Sequence, residues 1–316
     1  ETDHFEKGRE IVLAGLKKGI FKKDADGSVY VDLEQEDLGK KTLLRADGTS
    51  IYITQDLWLA LQRYKDFKPD KTIYVVGSEQ IHHFKVLFAI LKKLGHKFAE
   101  NYYHLPYGMV YLPEGKMKSR EGAIVDADNL MDESVTLAKK EILKREKKTD
   151  KEELEERAEK IALGAINFLL LKYDALKDFT FNPEESISFE GETGPYIQYA
   201  HARAASILRK AEKEFKLKPK FDSGAFRLAE KEEHALVREL SRFPEIVEDA
   251  SEKLKPDLIA NYSYKLAQTF TDFYTNQKVL TDDKQEREER LQLVAAAKQV
   301  LQNSLALINI SAPEKM

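Results

Sequence analysis

Asp56 and Gln80 are the side chains best placed for chemistry, because each follows an apolar run that has the character of a β-strand. One such run ends at Ile53 and the other, residues 73–76, is continuously apolar. In open parallel sheets, ligands bind outside the carboxyl ends of the strands, so we expect Asp56 and Gln80 to face one crevice. The alternative for Asp56 is an acid that the helix dipole stabilises in a first helical turn.

A carboxylate at this position has a specific chemical use. It can accept a forked pair of hydrogen bonds from a guanidinium, a geometry that no ammonium matches. Tyr52, one helical turn before Asp56, could supply a wall or a hydroxyl to such a pocket. The alternative for Tyr52 is a strand aromatic that packs on the sheet.

A loop between Gly115 and Gly122 carries three cations, Lys116, Lys118 and Arg120. Flexible cations can neutralise the charge that builds on a pyrophosphate leaving group during phosphoryl or adenylyl transfer. The alternative is an ordinary basic surface loop.

His82 and His83 follow Gln80 and are adjacent in sequence. Neighbouring residues on a helix point in different directions, so we predict no two-ligand metal site there. One of the two is expected to face the crevice and contact a nucleotide.

A second candidate surface begins at Thr193, which precedes a helix with proline near its start. Tyr196, Tyr199 and Arg203 follow at spacings of three and four residues and share one helical face. Aromatic rings beside an arginine suit stacking on unpaired RNA bases. The alternative is tyrosine rings that pack against neighbouring helices.

The elements that position these residues divide the chain into two regions. The first ~125 residues predict βα units and a parallel sheet, with Thr54 and Ser78 as helix caps and Gly95 as a helix end. We expect residues 43–53 to form a strand, a turn and a second strand. The remainder predicts a helix bundle, with long helices over residues 153–175, 195–217, 229–251, 256–280 and 284–308.

Composition limits the class of protein. The chain has 316 residues, no cysteine and 34% charged residues, so disulfides and cysteine-ligated zinc are excluded and a cytoplasmic protein is expected. No apolar run reaches the roughly 20 residues of a membrane span, and we expect no membrane partner. A net charge of −4 argues against a general nucleic-acid binder, although residues 201–220 are locally basic.

Several segments together resemble the arginyl-tRNA synthetase family. Residues 45–56 are similar to its pattern R-S/A-D-G-T…Y-x-T-x-D, and residues 74–84 to its pattern Y-V-x-x-x-Q-x-x-H-F. Residues 108–110 and 116–120 resemble the region of the KMSKS-type loop of class I synthetases. Residues 194–203 resemble a stretch of the family's anticodon-binding domain. Four motifs in the correct order are specific, whereas each alone would be weak.

The resemblance implies a reaction and a set of residues. Arginine and ATP, which carries Mg²⁺, give arginyl-adenylate and pyrophosphate, and the arginyl group passes to the terminal ribose of its tRNA. No protein-bound metal is implied. The implied arginine pocket is Tyr52, Asp56 and Gln80. The implied catalytic loop residues are Lys116, Lys118 and Ser119. The implied ATP contacts are His83, Gly108, Met109, Val110, Lys116, Met117 and Lys118. The implied tRNA contacts are Tyr196, Tyr199, Arg203, Tyr274 and Met316.

The resemblance also implies a fold and domain limits. We predict an incomplete Rossmann-like α/β catalytic domain over residues 1–125, a helical connecting region over 126–190 and an α-helical anticodon-binding domain over 191–316. The His-Ile-Gly-His-type motif of class I synthetases is absent from the sequence. We therefore expect an N-terminally truncated chain with a natural C-terminus and negligible activity alone.

Two further points stay open. Ser119 stands where the KMSKS lysine would be, and either Lys118 or a lysine near the absent motif could take its role. A non-catalytic tRNA-binding module is the main alternative function, and the retained arginine-pocket residues argue against it. A cysteinyl enzyme is a further alternative that the Asp56 context disfavours.

Overall fold

The computed structural model describes residues 2–112, 115–116, 126–146, 150–219, 221, 227 and 229–316. Its contacts divide the chain into two compact units, Glu1–Met109 and Val110–Met316. The predicted limits at residues 125 and 190 stay predictions.

The first unit alternates helices with short strands. In chain order its elements are α1 (Thr2–Lys17), β1 (Lys22–Lys23), β2 (Val29–Leu33), β3 (Gly39–Leu44), α2 (Tyr52–Phe67), β4 (Thr72–Gly77), α3 (Ile81–Lys93) and β5 (Tyr102–Tyr107).

Two separate sheets form in this unit. Strands β1, β2 and β3 make an antiparallel sheet in that order. Strands β4 and β5 pair in parallel, from Thr72 opposite Tyr102 to Gly77 opposite Tyr107. The crossover between them is α3, so this part is the βα unit that the apolar run at 73–76 predicted.

The prediction of strand, turn and strand over residues 43–53 is wrong. Strand β3 ends at Leu44 and is antiparallel to β2, and only a single bridge between Leu44 and Ser50 follows the turn. Helix α2 already begins at Tyr52. The Thr54 hydroxyl is not a cap: it donates to the carbonyl oxygen of Leu43 over 2.5 Å, inside the core. This bond ties α2 to the end of β3.

The other predicted helix boundaries in this unit differ in outcome. Ser78 lies in a 3₁₀ turn (Ser78–Gln80) before α3, and its side chain caps nothing. Gly95, with φ of 87°, follows the last turn of α3, and that prediction is confirmed. The core of the unit contains Val12, Leu57 and Leu87, all fully buried, from α1, α2 and α3.

The second unit is mainly helical. In chain order its elements are β6 (Val110–Leu112), β7 (Gly115–Lys116), α4 (Ala127–Arg145), α5 (Lys151–Leu171), β8 (Phe179–Thr180), α6 (Pro183–Ser186), α7 (Gly194–Phe215), α8 (Lys231–Ser241), α9 (Phe243–Lys253), α10 (Pro256–Asn276) and α11 (Lys284–Leu307).

The predicted single helix over residues 229–251 is wrong, because the chain forms α8 and α9 there. Pro244 has no N–H to donate, and it occupies the first turn of α9, where a helix tolerates proline. The other long helices lie within a few residues of their predicted limits. Small parallel sheets with helices, followed by a helical domain, confirm the predicted fold class.

Two apolar clusters hold the second unit together. The larger one joins α7, α10 and α11 through side chains such as Ile197, Phe270 and Leu301. The smaller one joins α4, α5 and the segment after α6, which contributes Ile187 and Phe189, around Ile142 and Ile161. Helices α5 and α7 approach so closely that a Cβ on Gly194 would lie 2.1 Å from the carbonyl oxygen of Gly164.

Candidate functional site

Asp56 is held in place by a partner on the neighbouring helix. His83 in α3 donates from Nε2 to Oδ2 of Asp56 in α2 over 2.7 Å. The Asp56 side chain is 39% exposed and that of His83 is 22% exposed. Within the described residues, Oδ1 of Asp56 makes no hydrogen bond to protein. The carboxylate is thus oriented through one oxygen and open to a ligand through both, since Oδ2 keeps a second lone pair.

Tyr52 and Gln80 lie near the same ends of α2 and α3. Tyr52 is the first residue of α2 and is 78% exposed. Gln80 is exposed at the end of the 3₁₀ turn, three residues before His83. Gln80 directly precedes α3, and His83 lies in the first turn of that helix. Residues three apart are neighbours on a helix surface, so Gln80 and His83 lie near each other at the N-terminal end of α3. The described contacts join neither Tyr52 nor Gln80 to Asp56, and their shared pocket stays a prediction.

A half-buried tyrosine that the sequence did not single out lies close to Asp56. Tyr74 belongs to β4, and its partial burial, helped by Tyr102 and by the charge of Asp56, raises the pKa of Tyr74 to about 12. The guanidinium of Arg63 lies 5.6 Å from the centre of the Tyr74 ring. Tyr74 therefore stays protonated. The sequence could have indicated that Tyr74 faces inward, because it occupies an alternate position of β4. Its proximity to Asp56 depends on the tertiary fold and has no signal in the sequence.

The residues expected at the adenine and the phosphates divide between the two units. Gly108 is buried and Met109 is half-buried, just after β5. Val110 begins β6 and pairs with Phe179 in β8, and Lys116 lies in β7 opposite Tyr111. The predicted loop residues Met117, Lys118 and Ser119 lie outside the described residues.

Arg203 in α7 is stacked between two tyrosines. Its guanidinium carbon lies 4.8 Å from the centre of the Tyr199 ring and 4.6 Å from that of Tyr274, which belongs to α10. It also donates a hydrogen bond to each of the two hydroxyls. All three side chains are half-buried. A guanidinium over aromatic faces is stabilised by cation–π attraction.

Tyr196 lies on the same helix but contacts different partners. Its hydroxyl donates to Oγ1 of Thr271 over 3.3 Å, and its ring centre lies 5.5 Å from that of Tyr264. Both partners belong to α10. This contact corresponds to the alternative for a tyrosine here, packing against a neighbouring helix. Tyr196 therefore has a weaker claim on a ligand than Tyr199.

Met316 lies in a groove of about 560 Å³ beside Tyr199 and Arg203. Sequence reasoning missed most of the residues that line this groove, and Arg157 in α5 is one of them. Its side chain is only 10% exposed and pairs with Glu146 at 2.8 Å and Glu153 at 3.7 Å. Residues 144–160 carry charges of alternating sign, a pattern that is typical of a solvated helix face. Arg157 departs from this pattern, because its side chain is nearly buried in the structure.

Neither a metal-binding cluster nor a membrane-spanning helix lies within the described ranges. No three His, Asp or Glu side chains in those ranges converge to hold a metal ion. No helix in the same ranges is both long and apolar enough to cross a bilayer.

Comparisons with known proteins agree with this arrangement. The family described as "tRNA synthetases class I (R), catalytic domain" matches residues 6–183, and the "DALR anticodon binding domain" matches residues 197–316. The fold and these two family matches thus define a class I tRNA synthetase.

Curated relatives and solved structures specify the family. The arginine–tRNA ligase of Flavobacterium psychrophilum is 44% identical over all of this chain, which covers 52% of that protein. The enzyme of Treponema denticola is 45% identical, with 54% of it covered. The arginyl-tRNA synthetase of Thermus thermophilus superposes with a TM-score of 0.84 and 29% identity, over 98% of this chain and 58% of that one. The chain belongs to the class I arginyl-tRNA synthetase family, which confirms the resemblance in its sequence.

The chain spans about half the length of the curated relatives that it matches. The Plasmodium falciparum arginyl-tRNA synthetase has the same fold, with a TM-score of 0.80 and 24% identity, and this chain covers 53% of it.

Proposed function

We propose that this chain supplies the arginine pocket and the tRNA-binding domain of an arginine–tRNA ligase. Asp56 carries the proposal: it is a partly exposed carboxylate, held through one oxygen, in a chain of this family. The reaction is the ATP-dependent attachment of arginine to its tRNA through arginyl-adenylate. Its substrates are L-arginine, ATP with Mg²⁺, and arginine tRNA, and its location is the cytoplasm.

Asp56 selects the side chain of the amino acid. Oδ1 and the second lone pair of Oδ2 accept two N–H groups of the guanidinium, while His83 keeps the carboxylate from rotating. Tyr52 forms a wall of the pocket, and the Gln80 amide completes its polar edge. Nδ1 of His83 makes no hydrogen bond within the described residues, so the nucleotide contact predicted for His83 is compatible with this arrangement.

The chemistry needs two transfers. The arginine carboxylate attacks the α-phosphorus of ATP, and pyrophosphate leaves as the adenylate forms. A hydroxyl of the terminal tRNA ribose then attacks the acyl carbon and releases AMP. Cations are needed while charge builds on the pyrophosphate, and Lys116 and Lys118 are the candidates for this role. Gly108, Met109 and Val110 are the candidates for contact with the adenine.

The non-catalytic alternative has little support. A module that only binds RNA has no use for a guanidinium site, and the catalytic family matches residues 6–183. The match to the arginine family also excludes the cysteinyl alternative.

The test is arginine-dependent ATP–pyrophosphate exchange in two proteins. One is this chain alone, and the other is a chimera in which it replaces the matching part of the Flavobacterium psychrophilum relative. We expect exchange from the chimera and negligible exchange from the chain alone, because the His-Ile-Gly-His-type motif is absent from its sequence. A folded chimera that binds ATP but shows no dependence on arginine would contradict the proposal.

A further inference from the structure

The segment that follows α11, residues 308–316, runs back along the helices of the second unit; we call it the tail segment. Four side chains donate hydrogen bonds to its backbone, and one of them is Arg209, whose Nη1 donates to the carbonyl oxygen of Glu314 over 3.0 Å. Nδ2 of Asn167 donates to the carbonyl oxygen of Asn309 over 2.8 Å, Nε2 of Gln198 to that of Ser311 over 2.9 Å, and Nδ1 of His201 to that of Pro313 over 2.9 Å. These bonds fix the path of the backbone, whatever the side chains of the tail segment.

Gln198 joins the tail segment to helix α5. Its side chain is fully buried, and the same Nε2 also donates to the carbonyl oxygen of Lys160 over 3.0 Å. The amide fits only because residue 164 is glycine, since a Cβ there would lie 2.7 Å from the Gln198 side chain. Helix α5, helix α7 and the tail segment thus meet at one amide group.

His201, one helical turn after Gln198, is also fully buried. Burial lowers the pKa of its imidazole, against the opposing effect of the bond to Pro313, so the ring is neutral and Nδ1–H is the donor. Within the described residues, Nε2 of His201 and Oε1 of Gln198 have no hydrogen-bond partner. Burying these two atoms without partners costs free energy, which offsets part of what the bonds to the backbone carbonyls contribute. Buried polar atoms without partners are expected where position matters for function.

The path set by these residues ends beside Tyr199. Glu314 is anchored by Lys298 at 2.5 Å and by Arg209 at 3.3 Å. Two residues further, Met316 packs together with Tyr199 against the smaller apolar cluster of the second unit, around Ile142 and Ile161. Met316 also lines the groove that contains Arg203.

We propose that Gln198 and His201 are positioning residues for tRNA binding, which hold the tail segment so that Met316 lies beside Tyr199 and Arg203. The inference rests on the proposed function, because it assumes that this groove binds tRNA. Neither residue contacts the RNA itself; each acts through the backbone of the tail segment.

The first measurement reports the position of Met316 without any RNA. The chain has four methionines, so labelling with ¹³C-methyl methionine gives few resonances, and Met316→Leu assigns the one of interest. We expect Gln198→Met and His201→Leu to move the Met316 methyl resonance to the position of free methionine. Gln198→Met adds one labelled methyl of its own, and combining it with Met316→Leu identifies that extra resonance. His201→Asn should retain the native resonance, because its amide can donate from the place of Nδ1–H.

Matched controls separate positioning from a general loss of structure. His234→Leu and Gln299→Leu remove the same two kinds of side chain from exposed positions on α8 and α11. Met131 in α4 reports the fold in every variant. If His201→Leu loses the Met131 resonance as well, Gln198→Met, which keeps the side-chain length, carries the test. An unchanged Met316 resonance in a folded Gln198→Met variant overturns the inference.

The second measurement is tRNA binding by the same chains. We expect Gln198→Met and His201→Leu to weaken binding about tenfold, similar to the loss of one stacking contact. Adding Met316→Ala to Gln198→Met should change little, because both substitutions remove the same contact.

Tyr199→Ala distinguishes the two ways in which this can fail. If Tyr199→Ala weakens binding while the positioning variants bind as the wild type does, the inference is overturned and the proposed function stands. If Tyr199→Ala also binds as the wild type does, the groove does not bind tRNA, and the proposed role of this face fails together with the inference.

Discussion

The imidazole of His83 donates a hydrogen bond from Nε2 to Oδ2 of Asp56 over 2.7 Å, and this bond links helix α3 to helix α2. A carboxylate on one helix alone could adopt several rotamers. Held by His83, it presents its remaining acceptor sites in a fixed direction, which a planar guanidinium requires for two parallel hydrogen bonds.

The first prediction concerns His83, tested in the active chimera. His83→Phe should raise the KM for arginine about fivefold with little change in kcat, because one hydrogen bond to a partly exposed carboxylate is worth on the order of 1 kcal/mol. His83→Gln should retain much of the native KM, since its amide can donate from the place of Nε2. His82→Phe, on the exposed side of the same helix, is the control. An equal effect of both phenylalanine variants would mean that α3 is perturbed as a whole.

The second prediction concerns Asp56 itself. Asp56→Asn should reduce kcat/KM for arginine by a factor that corresponds to about 3–5 kcal/mol of lost transition-state stabilisation, as expected when one partner of a charge pair is removed. The carboxamide offers one acceptor oxygen where the guanidinium needs two. Asp66→Asn removes an exposed carboxylate near the other end of α2 and should leave the kinetics unchanged. Unchanged arginine kinetics in Asp56→Asn would remove the case for this pocket.

Asp56 also shows how far the sequence reaches. The residue type alone led to the hypothesis of a guanidinium site, because it is a local property. The strand end expected at Ile53 is absent, since β3 ends at Leu44 and Asp56 lies inside α2. Its partner His83 was expected at a nucleotide instead, since the bond between them depends on how α2 packs on α3.

The errors in the predicted fold have the same origin. Thr54 has the residue type of a helix cap, but its hydroxyl finds the Leu43 carbonyl eleven residues away, a contact that only the tertiary fold creates. Pro244 is a signal in the sequence for the break between α8 and α9. The prediction of one helix followed instead from the apolar periodicity, which continues on both sides of Pro244. Strand β4 was predictable, because a short and continuous apolar run is typical of parallel strands.

The third prediction concerns pH and His201. Burial lowers the pKa of His201 in the folded chain below its usual 6.5, with Lys298 acting in the same direction and the Pro313 carbonyl and Glu314 opposing it. The unfolded chain therefore binds the proton first as the pH falls. The stability that the neutral ring provides is complete above pH 6.5 and is lost progressively as the pH falls towards the folded-state pKa.

Urea unfolding at several pH values between 5 and 8 measures this effect. His201→Asn carries no titrating ring, so its free energy of unfolding should fall less steeply on acidification than that of the wild type. His234→Asn, exposed on α8, should follow the wild type. Identical slopes for wild type and His201→Asn would show that His201 does not control the acid sensitivity.

The fourth prediction concerns the crossing of α5 and α7. A Cβ on Gly194 would lie 2.1 Å from the carbonyl oxygen of Gly164, and backbone atoms cannot rotate away as a side chain can. Gly194→Ala should therefore destabilise the helical unit by about 1–3 kcal/mol, the usual cost of overpacking. Gly77→Ala is the control, because its Cβ would meet only Tyr107, at 3.8 Å. Thermal unfolding followed by circular dichroism gives the comparison, and equal melting temperatures would contradict the close crossing.

The last prediction concerns RNA binding by the groove that contains Tyr199, Arg203 and Met316. Stacking of an unpaired base on an aromatic ring is worth about 1–3 kcal/mol and depends little on salt. Contacts between cations and phosphates add a free energy that falls as salt rises. Tyr199→Ala should weaken tRNA binding by about ten- to a hundredfold with an unchanged salt slope. Arg203→Ala should reduce the salt slope if the guanidinium leaves its tyrosine partners for a phosphate, and should leave the slope unchanged if Arg203 only supports the two rings.

Filter binding across a salt series measures both the affinity for tRNA and the salt slope. Tyr103→Ala, which removes an exposed tyrosine of the first unit, is the control. If Tyr199→Ala binds tRNA as tightly as the wild type, Tyr199 and Tyr274 serve only to pack the helices around Arg203.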